Sequence, residues 1–290
     1  AYEAATADIG DCNVLDPFHK RAYGVEAVNY NRDVENFAVM KKIIERMVGE
    51  DDPMTKVRSP TDMGVSMVKE GIVDNNVVCE ASKQEIVRRY FRYRREFVEG
   101  CTLHDTLDRM DNIMAKVGAK PEDRSVVLPA REAAEEARRK QAEGKGYKGV
   151  FCGAAIEVFL DSGETLIVTG KNSPLLHAES AALLNATKRL AGIADEVDVI
   201  SPSVIRSLKE LKKNMGLNST SLDPKEILNA LASSAVSEKN AHRCLNALSK
   251  LRGCEMHTTH LMTEGNEKTV NQMGLILTTD AKLPFPDYHL

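Results

Sequence analysis

The stretch from Ala154 to Thr169, AAIEVFLDSGETLIVT, decides the fold of the second half of this chain. Ala154–Leu160 and Thr165–Thr169 are mostly apolar and contain β-branched and aromatic residues, a composition typical of strands. The four residues between them, DSGE, have the polar and glycine-containing character of a turn. The stretch therefore predicts a β-hairpin.

Helices and strands alternate after this hairpin. A helix of small residues follows it, with Pro174 in its first turn, and amphipathic periodicity and caps predict several more helices. Further strands are predicted at Val197–Ile200, Cys254–Met262 and Leu275–Thr279. Because strands that alternate with helices build a sheet covered on both faces, residues 122–290 are predicted to form a three-layer α/β domain.

The first 121 residues have a different pattern, with apolar residues at helical spacing and no strand alternation. One predicted helix runs from near Glu80 towards Gly100. The next follows Thr102, with Asp105 completing a capping box. A helical domain over residues 1–121 is therefore predicted to precede the α/β domain.

Charge and cysteine content argue against several classes of protein. A net charge of −4 and a pI near 6.0 are the opposite of what a general nucleic-acid binder needs. No apolar run approaches the roughly 20 residues that span a bilayer. The six cysteines form no CxxC pair, so free thiols in a reducing compartment are expected. We therefore expect a cytoplasmic protein that binds neither nucleic acid nor membrane.

One group of candidate ligand-binding residues precedes a predicted helix. Asn29, Asn31, Arg32 and Asp33 lie within a few residues of each other. Amides, a guanidinium and a carboxylate around a helix N-terminus suit a small anionic ligand. The alternative is that Asn or Asp simply caps the helix.

The remaining candidates are more scattered. Asp16 and His19 form an acid–imidazole pair in DPFH, although a turn held by proline explains the motif equally well. Thr61 and Asp62 lie in SPTD, where turn chemistry is the first interpretation. Lys171 follows a predicted strand and precedes a helix, the place where α/β sheets bind ligands. It is predicted as a second-site residue.

The predicted strand near residue 254 carries several polar residues. Glu255, His257 and Thr259 share one face of it, and His260 lies on the other. This spacing permits a site without requiring one, because isolated histidines are usually structural.

Five blocks of sequence resemble one bacterial family, the domain-of-unknown-function 1846 (UPF0371) family. They are Ala1–Asp8, Asp16–His19, Ala27–Asp33, Ser59–Val65 and Glu80–Tyr90. The chain resembles the C-terminal portion of that family. The resemblance implies a preceding α/β region with a glycine-rich loop that binds phosphate, and this upstream region of the same protein is the expected partner. It also implies ATP or another phosphate compound as ligand, and a homo-oligomer is expected.

The α/β domain also resembles the cytidine-deaminase-like topology. His177-Ala178-Glu179 lies near the helix after the hairpin, where a zinc deaminase has its HxE motif. A deaminase supplies two more ligands from PCxxC after the next strand, and here Ser201–Arg206 contains no cysteine. The sequence therefore predicts the deaminase-like fold without a zinc site, and a structural role for His177.

Two functions from different classes remain open. The first is an enzyme-like protein that binds a nucleotide or phosphate ligand, mainly through the upstream region. The second is a non-catalytic protein that senses a ligand or assembles oligomers. The phosphate loop implied by the family resemblance favours the first.

Overall fold

The computed structural model describes residues 75–142, 150–217 and 221–283. The chain divides into two compact units, Ala1–Arg124 and Ser125–Leu290.

The described part of the first unit is helical. Helix α1 spans Asn75–Val98 and helix α2 spans His104–Val117, and a 3₁₀ turn follows at Pro121–Asp123. Helix α2 buries one apolar stripe and ends at Gly118, whose φ of 65° suits glycine. The predicted capping box is wrong, because the N-cap residue is Leu103 and no side chain caps the helix.

The second unit is α/β and contains a four-stranded sheet. In the described residues its elements, in chain order, are α3 (Val127–Ala142), β1 (Gly153–Phe159), β2 (Thr165–Lys171), α4 (Ala178–Leu190), α5 (Pro202–Asn214), α6 (Pro224–Ser234), α7 (Lys239–Ala247), β3 (Glu255–Thr258), α8 (Glu264–Gln272) and β4 (Ile276–Thr279). A 3₁₀ turn at Leu248–Leu251 leads into β3.

The sheet is mixed, with the strand order β2-β1-β3-β4. Strand β1 pairs antiparallel with β2, as the predicted hairpin requires, and also antiparallel with β3. Strands β3 and β4 are parallel and are connected by α8. The C-terminal ends of β3 and β4 therefore lie at the same edge of the sheet.

Helices cover both faces of this sheet, and one glycine permits close packing on each face. A Cβ atom on Gly153 would collide with the backbone of Ala130 and Ala134 in α3. A Cβ atom on Gly170 would collide with the backbone of Ala178 and Ala182 in α4. Small residues on the two helices complete the fit. The two glycines face different helices because successive side chains of a strand point to opposite faces of the sheet.

The predicted strand at Val197–Ile200 is wrong. The segment is irregular, and the N–H of Val197 donates a turn hydrogen bond to the carbonyl of Ala194. Val199 and Ile200 are nevertheless buried, in an apolar cluster formed with helices α6 and α7. The apolar run correctly predicted that these residues are buried, but they pack against helices and not against a neighbouring strand.

Candidate functional site

A short extended segment fixes the start of helix α4. Leu176 pairs with Leu222 in a parallel bridge, and the N–H of His177 donates to the carbonyl of Leu222 at 3.1 Å. The hydroxyl of Ser173 accepts hydrogen bonds from the N–H groups of Leu175 and Leu176. His177 is thereby held as the N-cap residue, so Pro174 precedes the helix and does not lie in its first turn as predicted.

Glu179 lies in the first turn of α4 and is almost completely buried between two imidazoles. His177 Nδ1 lies 3.3 Å from Glu179 Oε1. His260 Nε2 lies 3.5 Å from Glu179 Oε2. The helix N-terminus also favours a negative charge at this position. The three side chains therefore form one cluster, called the α4 cluster below.

The exposures of these side chains differ in a way that suggests their roles. Side-chain exposure is 37% for His177, 1% for Glu179 and 9% for His260. Glu179 engages Nδ1 of His177, and Nε2 makes no hydrogen bond within the described part of the chain. His177 is therefore the most solvent-exposed member of the α4 cluster.

The environment moves the pKa values of the two histidines in opposite directions. Burial would lower the pKa of His177, but the hydrogen bond to Glu179 and its charge outweigh burial and raise that pKa. Burial lowers the pKa of His260, although Glu179 acts against it. Burial would raise the pKa of Glu179, but His177 and His260 together lower it. Glu179 is thus ionised, with a readily protonated and a neutral imidazole beside it.

Two further charged groups act on His177. Asp223 raises its pKa and Lys212 lowers it. Asp223 caps α6 by accepting from the N–H of Glu226 at 2.8 Å. Lys212 donates to the carbonyl of Ser221 and to Glu226 Oε2 at 2.6 and 2.8 Å. The side chains of Asp223 and Lys212 are therefore both held near the loop that contains Ser221 and Leu222. The same loop pairs with the segment before α4.

A second imidazole–carboxylate cluster lies on the face of the sheet that α3 covers. Arg131 of α3 donates twice to Asp280, at 3.1 and 2.8 Å. His257 Nε2 lies 3.5 Å from Asp280, and its Nδ1 lies 2.9 Å from the hydroxyl of Thr278. Burial would raise the pKa of Asp280, but His257 and Arg131 hold it well below its usual range. We call this group the α3 cluster.

Lys171, the predicted second-site residue, ends strand β2 and contacts helix α3. Its Nζ lies 2.5 Å from Glu136 Oε1, and Lys140 binds the same carboxylate at 2.8 Å. The hydrogen bonds from Lys140 and Lys171 lower the pKa of Glu136 to about 2. Lys171 is thus engaged in a half-exposed ion pair and is not part of the α4 cluster.

The other predicted site residues lie outside the described residues. They are Asn29, Asn31, Arg32, Asp33, Asp16, His19, Thr61 and Asp62. Their proposed contacts with a ligand stay predictions.

Sequence reasoning missed His260 as a partner of Glu179. The predicted strand ran on to Met262, which placed His260 within the strand, whereas β3 ends at Thr258. A turn then forms, in which the hydroxyl of Thr258 donates to the carbonyl of His260 at 2.8 Å. The sequence signal that could have identified His260 is its position just after a parallel strand, because polar residues there face the ligand-binding edge of such sheets.

Metal and thiol chemistry have little support in the described residues. No group of three or more His, Cys, Asp or Glu residues there is arranged to hold a metal ion. Of the cysteines that the structure describes as free, Cys152, Cys244 and Cys254 are buried and Cys101 is exposed. Burial raises the pKa of the Cys152 thiol to about 12, which opposes thiolate chemistry.

Within the described ranges, no helix has the length and apolar content needed to cross a membrane.

Comparison with known proteins identifies the family of this chain. Residues 1–118 match the N-terminal model of the domain of unknown function DUF1846, and residues 122–288 match its C-terminal model. UPF0371 proteins of Clostridium tetani and Corynebacterium aurimucosum are 42% and 43% identical, over 98% and 97% of this chain. The chain covers 55% and 52% of those two relatives, so it spans about half of their length. A UPF0371 protein of Clostridioides difficile is 40% identical over 98% of the chain.

The sequence blocks predicted a resemblance only to the C-terminal portion of the family. The match to both models corrects this expectation. The chain belongs to the DUF1846 family, and it matches the models of both its N-terminal and its C-terminal domain.

Proposed function

We propose that the α/β unit carries the acid–base centre of an enzyme that acts on a small molecule, and that His177, oriented by Glu179, exchanges a proton with the substrate. One observation carries this proposal. Glu179 is 1% exposed yet touches a histidine that is 37% exposed, so a buried charge is connected to a group that ligands reach. Buried ionisable groups that interact with a specific charged partner are concentrated at functional sites.

The two residues supply complementary parts of such a reaction. Glu179 accepts the Nδ1–H of His177 and fixes the imidazole orientation, which leaves Nε2 for the substrate. The raised pKa of His177 favours its protonated form, which is the form that serves as the general acid. Once that proton is transferred, the neutral Nε2 serves as the general base.

The proposed substrate carries a phosphate group, for example a nucleotide. A protonated His177 at the N-terminus of α4 attracts an anion, because the helix dipole and the imidazolium act in the same direction. The family resemblance adds a glycine-rich phosphate loop in the preceding region. ATP is the first compound to test.

The strand order supports a deaminase-like topology. A hairpin, a helix that begins at HxE, and then a strand antiparallel to β1 follow that scheme. Because Val197–Ile200 is not a strand, the next strand after α4 is β3, and the residues to compare with PCxxC are those after Thr258. They read THLMT and again contain no cysteine. We therefore keep the prediction that purified protein contains well under one zinc per chain, which metal analysis by mass spectrometry measures.

A non-catalytic role in assembly is the alternative. The end of α5 and the turn after it present apolar side chains to solvent, since Leu211, Met215 and Leu217 are 53%, 65% and 48% exposed. Neighbouring exposed apolar side chains of this kind are found at protein–protein contacts. A concentration-dependent oligomer that Leu211→Asp dissociates would favour this alternative.

The test of the proposed enzyme is a thermal-shift and turnover screen of this chain and of a full-length relative. The probes are ATP, inorganic phosphate and a panel of phosphorylated metabolites. A ligand at 100 times its Kd stabilises the protein by about 2.7 kcal/mol, which raises Tm clearly. We expect Glu179→Gln to reduce turnover by about 10²- to 10⁴-fold, the usual contribution of a positioned acid or base.

Glu210→Gln, on the exposed side of α5, is the matched control and should leave turnover unchanged. Binding without turnover would favour a ligand sensor. Equal turnover in the Glu179→Gln and Glu210→Gln variants would contradict the proposed acid–base centre.

A further inference from the structure

The second carboxylate oxygen of Glu179 is in an unusual position. Oε1 contacts His177, whereas Oε2 has no hydrogen-bond partner among the described residues. His260 Nε2 lies 3.5 Å from this oxygen, and both side chains are more than nine-tenths buried. A buried ionised oxygen is unfavourable unless a donor faces it, and the His260 ring is positioned to do so.

The backbone around His260 holds the ring at this point. Its carbonyl accepts from the hydroxyl of Thr258 at 2.8 Å. The next residue, Leu261, donates its N–H to the carbonyl of Lys282 at 2.8 Å, and Asp280 donates its N–H to the carbonyl of Thr258 at 2.8 Å. The position of His260 is therefore set by the ends of β3 and β4, independently of Glu179.

The charges that surround Glu179 come from several elements. His177 at the start of α4 is the readily protonated group, with Asp223 before α6 and Lys212 on α5 acting on it. Cys152, before β1, is buried close enough for the Glu179 charge to raise its pKa, so its thiol stays neutral. Burial lowers the pKa of His260, so His177 is the more readily protonated of the two imidazoles beside Glu179.

We propose that His260 is a positioning residue, whose neutral imidazole directs its Nε2–H at Oε2 of Glu179 and keeps that carboxylate ionised when His177 gives up its proton. This inference rests on the proposed acid–base function and adds a third residue to it. His260 itself does not touch the substrate. It acts through Glu179, which in turn orients His177.

The proposal fixes the direction of a measurable change. While His177 is protonated, Glu179 is stabilised by the imidazolium. After His177 loses its proton, the donor at Oε2 becomes more important for the buried carboxylate. Removing this donor destabilises the deprotonated state of His177 more than the protonated state, so His177 must hold its proton more tightly.

The experiment is an NMR pH titration of the histidine rings in the whole 290-residue chain. His260→Leu removes the donor at similar volume, His260→Gln retains an N–H donor, and His242→Leu on the exposed side of α7 is the matched control. Single substitutions assign the signals. We expect His260→Leu to raise the titration midpoint of His177 by roughly 0.5–1 pH unit, in keeping with a hydrogen bond to a charged group.

His260→Gln and His242→Leu should leave the midpoint of His177 within roughly 0.2 pH unit of wild type, because both retain a donor at Glu179. An unchanged or lowered midpoint in His260→Leu would overturn the proposal. If that variant does not fold, the wild-type spectrum decides. A His260 ring that stays neutral down to about pH 6.5 supports the proposal, and one that is protonated above that pH contradicts it.

The titration needs no ligand, so its failure and the failure of the proposed function are separate results. A metabolite screen without a hit contradicts the enzyme proposal and leaves the titration intact. An unchanged midpoint contradicts the role of His260 and leaves substrate binding intact.

Discussion

The α3 cluster and the α4 cluster both pair an imidazole with a buried carboxylate, on opposite faces of one sheet. In the α3 cluster, Asp280 is bound by the two-pronged guanidinium of Arg131, and His257 has no solvent exposure. In the α4 cluster, the contacts of Glu179 in the described residues are with imidazoles, and one of these is 37% exposed.

This difference separates an ion pair of fixed charge from one whose charge can change. A guanidinium does not lose its proton in a protein, so the Arg131–Asp280 pair stays charged and holds α3 to the end of β4. An imidazole changes charge near neutral pH, so Glu179 has partners whose protonation varies. The same two chemical groups therefore hold the fold together on one face, and on the other we propose that they transfer a proton.

The largest expected effect comes from breaking the α3 cluster. Asp280→Asn leaves Arg131 and the buried His257 without their carboxylate, and we expect the free energy of unfolding to fall by about 3 kcal/mol. Glu179→Gln should cost about 1 kcal/mol or less, because both of its imidazole neighbours can become neutral. Urea unfolding followed by circular dichroism measures both. Equal losses in the two variants would remove the distinction between the clusters.

The second prediction concerns the packing that holds α4 in place. Gly170→Ala puts a methyl group against the backbone of α4, and we expect a loss of about 1–3 kcal/mol with a displaced Glu179. Gly265→Ala in α8 is the control, because an added Cβ meets nothing within 4 Å there. Thermal unfolding should show a lower Tm for the first variant only. A Gly170→Ala protein as stable as the control would show that α4 is free to shift.

The pH dependence of stability distinguishes the clusters more finely. The raised pKa of His177 contributes stability that is complete below its unfolded value of about 6.5 and is lost as pH rises through the folded value. The lowered pKa of Asp280 contributes stability that is present above about 3.9 and is lost at lower pH.

We therefore expect His177→Asn to remove the decline of stability above pH 6.5 and to leave the acid decline in place. Asp280→Asn should weaken the acid decline, to which Glu136 and Glu179 also contribute, and leave the decline above pH 6.5 in place. Urea midpoints measured between pH 3 and pH 9 test this, and a wild-type alkaline decline that survives in His177→Asn would contradict the assignment.

The smallest effect is expected at Lys171. Its ion pair with Glu136 is half exposed, and such pairs contribute about 0–1 kcal/mol. Lys171→Met should therefore change Tm by little. If the residue also binds ligand, as the sequence predicts, the variant should weaken phosphate binding measured by calorimetry. Lys140→Met removes the other partner of Glu136 and is the control for the loss of that ion pair alone.

Local patterns predicted much of the α/β unit. The hairpin around DSGE is present, since both of its strands are made by neighbouring residues with a turn between them. The helix that opens with Asp223, Pro224 and Glu226 has the capping box that its sequence indicates. The hairpin and the capping box depend on contacts between residues close in sequence, so the sequence alone predicts them.

Predictions that required long-range partners were less successful. The apolar run Val197–Ile200 was predicted as a strand, but burial by helices and burial by strands look alike in a short run. His260 was placed within a strand, because the turn after Thr258 depends on a side-chain bond that periodicity does not reveal. The candidate site residues before residue 75 lie outside the described residues, so the prediction of their role stands untested.

By itself, the sequence determined the family and the α/β character of the second unit, and it placed His177 and Glu179 near the start of a helix. Those features follow from local propensity, caps and matched blocks of residues. Only the tertiary structure decided that His260, 81 residues after Glu179, reaches the same carboxylate. The physical reason is that the end of β3 reaches the start of α4 through the pairing of β1 with β3, whose partners Ala154 and Thr258 are far apart in sequence. Close packing of α4 at Gly170 completes this arrangement.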